Sequence, residues 1–237
     1  MEDVDELMRD HRESFRAPGA AQAGGSVLAL AGLLVAVGLI FHPLPSGGFE
    51  EKPSVLAETW WWGAIHVAIA VGFVLCVLGG LLVLISGGAL TAHWTGALCW
   101  GALTVGMIFF TGVPLINAYV MHFLSEHAVG ANGRSPLLFE AFNKLLVGFG
   151  WLGNPLFLVG LTGIALIEFR RAVMQLPRWL AALGVIFALL SWLRGIGSAT
   201  GLYLLEPFVL ANIPAFLWLG GYGLVIARRA TQTLPGI

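Results

Sequence analysis

Charged residues are scarce in this chain, and their scarcity excludes most classes of protein. Only 11% of the 237 residues are Asp, Glu, Lys or Arg, whereas 58% are hydrophobic. A water-soluble domain normally carries about a quarter charged residues. The net charge of −1 also provides no basic surface for nucleic acid. The composition therefore predicts an integral membrane protein whose main partner is the lipid bilayer.

Cysteine is rare too, and the sequence contains no recognisable catalytic motif. Cys76 and Cys99 both fall within apolar stretches and form no CxxC pair, so we interpret them as core residues. We find neither a phosphate-binding glycine loop nor an acidic pair suited to hydrolysis. The sequence leaves open whether the protein is an enzyme. Glycine, in contrast, is abundant, with 32 residues, and small residues allow membrane helices to approach closely.

Six apolar segments are each long enough to cross a membrane. They are residues 21–41, 60–85, 94–124, 139–167, 179–205 and 208–227. We therefore expect an all-α fold, a polytopic six-helix transmembrane domain over residues 21–229. Residues 1–20 are expected to form a cytoplasmic amphipathic helix, because Val4, Leu7, Met8, His11 and Phe15 share one helical face. Residues 230–237 are expected to be a cytoplasmic tail.

The arginines and lysines of the connecting segments predict the orientation. If the N-terminus is inside, the cytoplasmic segments contain eight basic residues: Arg9, Arg12, Arg16, Arg170, Arg171, Arg178, Arg228 and Arg229. The outer segments contain only Lys52 and Arg134. Under the positive-inside rule, this asymmetry predicts a plasma (inner) membrane protein with both termini in the cytoplasm. The long connections 42–59 and 125–138 then lie outside.

Arg194 is the one cation deep within an apolar segment. It lies about 22 Å along a helix from Trp179, past the middle of a hydrocarbon layer about 30 Å thick. No Asp or Glu of the sequence matches its depth. Asn154 does, and Pro155 beside it frees a backbone carbonyl. A charge at this depth is retained mostly where it faces the bundle interior. We therefore expect Arg194 to point towards Asn154 or a bound anionic group.

Three histidines fall near the outer ends of three different predicted helices. His42 ends the first segment, His66 lies near the start of the second, and His122 ends the third. Imidazole binds both haem iron and transition metals, so these three residues are candidate metal ligands. For haem b, His66 and His122 are the expected axial pair and Arg194 would neutralise a propionate. Asn154, at the same depth as Arg194, is the fourth expected cofactor-binding residue. This pattern favours a redox subunit for electron transfer, but the spacing is not specific.

Two other functions fit the sequence. In the first, Arg194 is only a structural hydrogen-bond donor, and Trp60, Trp61 and Trp62 only form an aromatic belt at the membrane interface. The protein is then an accessory or structural subunit of a membrane complex, without a cofactor. Alternatively, it is a carrier for a small anion, because an intramembrane arginine and an outward-facing polar site suit an anionic substrate. Because the polar residues of the apolar segments lie mainly towards their outer ends, a site, if the protein has one, is expected to open outwards.

Overall fold

The computed structural model describes residues 15–42, 52–128, 135–200 and 210–233, and throughout these ranges the regular structure is helical. The α-helices within these ranges are α1 (Pro18–Ile40), α2 (Lys52–Glu58), α3 (Trp62–Ser86), α4 (Trp94–Leu115), α5 (His122–Ala128), α6 (Ser135–Arg171), α7 (Arg178–Thr200) and α8 (Asn212–Thr233). Of the expected N-terminal amphipathic helix, residues 1–14 lie outside the described ranges. The all-helical expectation is confirmed.

Five of these helical segments are long and apolar enough to cross a membrane. They are Pro18–Ile40, Trp62–Ser86, Trp94–Glu126, Leu137–Arg171 and Arg178–Ile196. Helix α8 has 22 residues but falls short in hydropathy, because its second half contains Arg228, Arg229 and polar residues. The first two residues of the sixth predicted segment, 208 and 209, lie outside the described ranges. The count of six spans therefore stays a prediction.

The six long helices form a closed ring in chain order. Helix α1 packs against both α3 and α8, and the remaining neighbours are α3 with α4, α4 with α6, α6 with α7, and α7 with α8. The chain passes up and down, since Ala17 N at the start of α1 donates to Ser86 O at the end of α3. We call the end of the bundle where α1 finishes the His42 end, and the opposite end the Arg171 end.

Glycines permit the closest helix pairs in this ring. A Cβ atom added to Gly25 on α1 would lie 2.4 Å from Gly223 O on α8. One added to Gly106 on α4 would lie 2.4 Å from Phe157 N on α6. In lipid, where no hydrophobic effect drives helices together, such backbone approach provides van der Waals contact. The abundance of glycine in the sequence therefore reflects helix packing.

The helical path is irregular near Pro114, which lies inside α4. Helix α4 passes into a π-helical turn at Ile116–Met121 and then into α5 without leaving the helical path. Proline lacks the N–H that a helix would pair with a carbonyl one turn earlier, so the hydrogen-bond pattern must change nearby. A π turn uses one more residue than an α turn and rotates the following side chains. This rotation affects His122, the first residue of α5.

The connection 42–59 contains helix α2, which we did not predict from the sequence. Pro53 is the second residue of α2, a position where its missing N–H costs nothing. Helix α2 packs against α5, and Leu56 of α2 is fully buried with Met121, Leu124 and Phe139 in a small cluster at the His42 end. This cluster covers the side of the bundle next to α3 and the π turn.

Candidate functional site

A cavity of about 450 Å³ lies within the ring of helices, in the half towards the His42 end. All six long helices or the residues that directly follow them contribute to its wall, which is mostly apolar. The charged, amide and imidazole side chains of the wall are His42, His66, Asn117, Asn154, Arg194 and Asn212. Binding sites for small molecules typically measure about 300–1,000 Å³ and combine apolar walls with a few polar groups. The cavity has these properties.

Three phenylalanines of the cavity wall, Phe73, Phe110 and Phe216, pack with Phe157, which lies outside the wall. Phe73 of α3, Phe110 of α4, Phe157 of α6 and Phe216 of α8 make a closed cycle. Neighbouring ring centroids in this cycle are 5.1, 6.5, 4.9 and 5.6 Å apart. Each phenylalanine lies on its helix between the polar wall residues and the Arg171 end. We call this cycle the phenylalanine layer, and it separates the cavity from the other half of the bundle.

Arg194 and Asn154 lie in the wall of this cavity, on the neighbouring helices α7 and α6. The Asn154 amide approaches α7 closely: its Nδ2 atom lies 3.3 Å from where a Cβ of Gly195 would be. Glycine at this position therefore allows the amide to contact the backbone of α7 beside Arg194. A cofactor-binding role for Arg194 and Asn154 stays a prediction.

His66 pairs with His42 at the opposite side of the cavity. The Nε2 atoms of the two rings are 3.1 Å apart, and His66 Nδ1 donates to Trp62 O at 2.8 Å. Because a carbonyl only accepts, His66 carries its proton on Nδ1, and its Nε2 presents a lone pair when the ring is neutral. Trp62 lies against both rings, with centroids 4.3 Å from His66 and 5.2 Å from His42.

Trp62 differs from its two neighbours, so the interpretation of all three tryptophans as an interfacial belt needs correction. Trp60 is 83% exposed, whereas Trp62 is 2% exposed. The Trp62 indole Nε1–H donates to Asn117 O in the π turn at 3.1 Å. The spacing from Trp62 to His66 places both on one face of α3, and this is the signal that the sequence offered for their contact.

Asn117 carries a buried acceptor without a partner. Its side chain is 8% exposed, it lines the cavity, and its Oδ1 atom has no hydrogen bond among the described residues. Buried polar atoms are nearly always satisfied, because an unpaired one costs about 1–3 kcal/mol. The π turn brings this amide to the cavity next to the Trp62 indole. A hydrogen-bond donor in the cavity would remove the penalty.

His122 is held outside the cavity wall. Its Nδ1 donates to Leu56 O of α2 at 3.2 Å, and its Nε2 lies 3.7 Å from Glu126. The two ring nitrogens of His66, in contrast, contact His42 and the Trp62 carbonyl. The structure thus gives no support to the expected axial pair of His66 and His122. The described parts of the chain also contain no group of three or more His, Cys, Asp or Glu side chains arranged to hold a metal ion.

A second polar cluster at the Arg171 end was missed in the sequence. Glu168 of α6 is 1% exposed, and its carboxylate accepts hydrogen bonds from Met174 N, Leu176 N and the Tyr222 hydroxyl. The donor–acceptor distances are between 2.9 and 3.2 Å. This carboxylate fixes the connection between α6 and α7 to α8. Because its donors are backbone and tyrosine groups, it serves the fold.

The chain matches no known protein family, and comparisons with curated proteins and with solved structures likewise find no match. The helices that are long and apolar enough to cross a bilayer, together with the composition, identify the class as a multi-pass membrane protein in contact with lipid. Functional conclusions therefore depend on the cavity and its side chains.

Proposed function

We propose that the protein is a six-span integral protein of the plasma (inner) membrane with both termini in the cytoplasm and an amphipathic N-terminal helix on the membrane surface. The length of α8 and its packing against α1 support the sixth span. The eight-to-two asymmetry of basic residues supports the orientation. In this orientation the His42 end faces outwards, and the cavity lies in the outer half of the membrane.

Labelling of single cysteines tests the orientation. In a cysteine-free background, a cysteine at Glu58 should react with a membrane-impermeant maleimide added outside intact cells. A cysteine at Ala172 should react only after the membrane is opened. Both positions are exposed at opposite ends of the bundle, so they form a matched pair. The reverse pattern would show that the orientation is wrong.

We further propose that the cavity binds a small amphipathic anion, and that the protein is a carrier for such a molecule. The observation that carries this proposal is the position of Arg194 in the wall of a largely apolar cavity. Among the described residues of that wall there is no carboxylate. An anionic group about 4 Å from the guanidinium would gain about 4 kcal/mol at an effective dielectric constant of about 20. The planar fork of arginine suits a carboxylate or a phosphate.

The remaining wall residues define the rest of the ligand. The wall offers apolar and aromatic surface for its body, from Phe73, Phe110, Phe216, Trp151 and Trp192. Asn154 and Asn212 add amide groups that can donate to acceptors, and Asn117 Oδ1 requires a donor. These groups favour an organic anion with a hydroxyl or N–H group away from its charge. The phenylalanine layer closes one side of the cavity, which is what a carrier with alternating access needs.

Matched probes test the anion site. A naphthalene carboxylate that also carries a hydroxyl group should bind the protein in lipid nanodiscs more tightly than the corresponding neutral carboxamide. Equilibrium dialysis measures both affinities against empty nanodiscs, which correct for partition into lipid. If about 3 kcal/mol of the Coulomb gain is realised, the carboxylate should bind about 100-fold more tightly than the carboxamide. Partial screening of the charges would reduce this ratio, so we expect at least about a tenfold difference.

Variants of two arginines on α7 provide the control. Arg194→Met should abolish the preference for the carboxylate, whereas Arg178→Met, at the exposed start of the same helix and outside the cavity wall, should retain it. Equal binding of the two probes to the unaltered protein, or saturable binding of neither, would contradict the proposal. A well-folded Arg194→Met protein that keeps the full preference would exclude Arg194 as the anion-binding group.

A further inference from the structure

The two histidines of the cavity face each other at the spacing of two ligands on one metal ion. Their Nε2 atoms are 3.1 Å apart. With metal–nitrogen bonds of about 2.0–2.1 Å and an angle between the octahedral and tetrahedral values, two neighbouring ligand nitrogens lie about 2.8–3.4 Å apart. Two axial ligands of a haem lie on opposite sides of the iron, about 4 Å apart. The distance therefore fits a shared metal ion and excludes this pair as haem ligands.

We propose that His42 and His66 form a two-histidine site for a divalent transition-metal ion, with its open coordination positions towards the cavity. This site does not include His122, and it does not depend on the binding of an anion. Imidazole nitrogen is the ligand type that Zn²⁺, Cu²⁺ and Ni²⁺ prefer. Water or a ligand in the cavity completes the coordination.

The hydrogen bond of His66 to the backbone prepares this ring for a metal. Metal-binding histidines almost always donate their second ring N–H to a carbonyl, a carboxylate or water, which fixes the tautomer and the ring orientation. His66 Nδ1 donates to Trp62 O at 2.8 Å, one turn earlier on α3. The Nε2 lone pair of His66 is thereby directed at His42 and at the cavity that both residues line.

Trp62 fixes the position of both rings. Its indole packs at 4.3 Å from the His66 ring and 5.2 Å from the His42 ring, and its Nε1–H is bonded to Asn117 O. The two imidazole rings come from the end of α1 and from α3, which pack closely along their length. His66 lies within α3, whereas His42 follows the last residue of α1 by two positions. Because Trp62 packs against both rings, they lose less conformational entropy when the metal binds.

Asn117 provides a third polar group beside the pair. Its buried Oδ1 has no partner among the described residues, and it lines the same cavity. An amide oxygen can accept a hydrogen bond from a metal-bound water or coordinate the ion directly. Arg194 is in the same wall, and its positive charge opposes a cation. A bound anion between the two would offset this repulsion.

Titration with Co²⁺ tests the site, because tetrahedral and octahedral Co²⁺ have visible spectra that Zn²⁺ lacks. The purified protein should bind one equivalent of Co²⁺, and new absorption bands should appear. Zn²⁺ should then displace Co²⁺, because nitrogen sites generally bind Zn²⁺ more tightly. His42→Ala and His66→Ala should each weaken binding by at least tenfold. His122→Ala is the matched control, because its ring is held by Leu56 O and Glu126, and it should bind as the unaltered protein does.

His42 is only partly buried, so a substitution there tests the site independently of folding problems at the buried His66. If His66→Ala does not fold, His42→Ala in a monodisperse preparation decides the question. No Co²⁺ or Zn²⁺ binding by the unaltered protein would overturn the proposal and leave the pair as a hydrogen bond between two neutral rings. Binding that survives in His42→Ala, or that depends on His122, would also overturn it.

Discussion

Glu168 offers the clearest test of how the Arg171 end of the fold is held together. Its buried carboxylate accepts from two backbone amides and from the Tyr222 hydroxyl. Glu168→Ala leaves these donors buried without an acceptor. Each unsatisfied donor costs about 1–3 kcal/mol, and removal of one member of a buried charged network costs about 3–5 kcal/mol in total. We therefore expect the free energy of unfolding to fall by about 3–5 kcal/mol.

Thermal unfolding in detergent, followed by size-exclusion chromatography, measures this loss. For a chain of this size, 1 kcal/mol corresponds to about 2–4 °C, so the apparent Tm should fall by about 10 °C. Tyr222→Phe removes one neutral donor and should cost only about 0.5–1.5 kcal/mol. Glu140→Ala on the same helix is the control, because Glu140 pairs with Lys144 on the exposed surface and should contribute less than about 1 kcal/mol.

Equal Tm values for Glu168→Ala and Glu140→Ala would refute this reasoning. They would mean that water satisfies the amides of Met174 and Leu176 as well as the carboxylate does. A large loss for Tyr222→Phe with a small one for Glu168→Ala would assign the stability to packing of the tyrosine ring instead.

Three further predictions concern stability in the same assay. Gly25→Ala should lower the free energy of unfolding by about 1–3 kcal/mol, because the added methyl group would overlap Gly223 O of α8. Gly221→Ala, where the added atom meets open space, should be neutral or slightly stabilising. Equal effects of the two substitutions would contradict the close packing of α1 on α8. Ala172→Gly should raise stability by about 0.5–1 kcal/mol, because Ala172 has a φ of 47°, a conformation that favours glycine; a decrease would contradict this. Thr162→Val should not destabilise the protein, because the buried Thr162 Oγ1 has no hydrogen-bond partner among the described residues; a loss above about 1 kcal/mol would show that this hydroxyl is satisfied.

The sequence predicted the elements of the cavity better than their pairing. Counting residues along the predicted helices placed Arg194 and Asn154 at the same depth in the membrane, and both residues lie in the wall of one cavity. The same argument placed His66 with His122, because the outer ends of neighbouring helices must be adjacent. It could not include the π turn, which rotates His122 away from the cavity, or helix α2, whose Leu56 carbonyl receives the His122 N–H.

The phenylalanine layer and the Glu168 cluster were not predictable for a related reason. Phenylalanine occurs in every apolar segment and 15 times in the chain, so no pattern distinguishes the four that meet. Glu168 stands at the end of its apolar segment, where a carboxylate is ordinarily solvated. Its burial depends on the loop that follows α6, in which Ala172 and Gln175 adopt positive φ values. Such a loop conformation results from tertiary contacts rather than from local sequence preference.

Photolabelling tests most directly whether the cavity binds an amphipathic anion. A diazirine-bearing aromatic carboxylate, irradiated with the protein in nanodiscs and mapped by peptide mass spectrometry, should label Trp151 of α6 above the lipid background. Trp151 lines the cavity and is 48% exposed. The adjacent Leu152, which is 56% exposed and outside the cavity wall, should be labelled only at the level that free lipid-dissolved probe produces. Excess unlabelled carboxylate should suppress the labelling of Trp151 alone. Equal labelling of Trp151 and Leu152, unaffected by the competitor, would contradict the account.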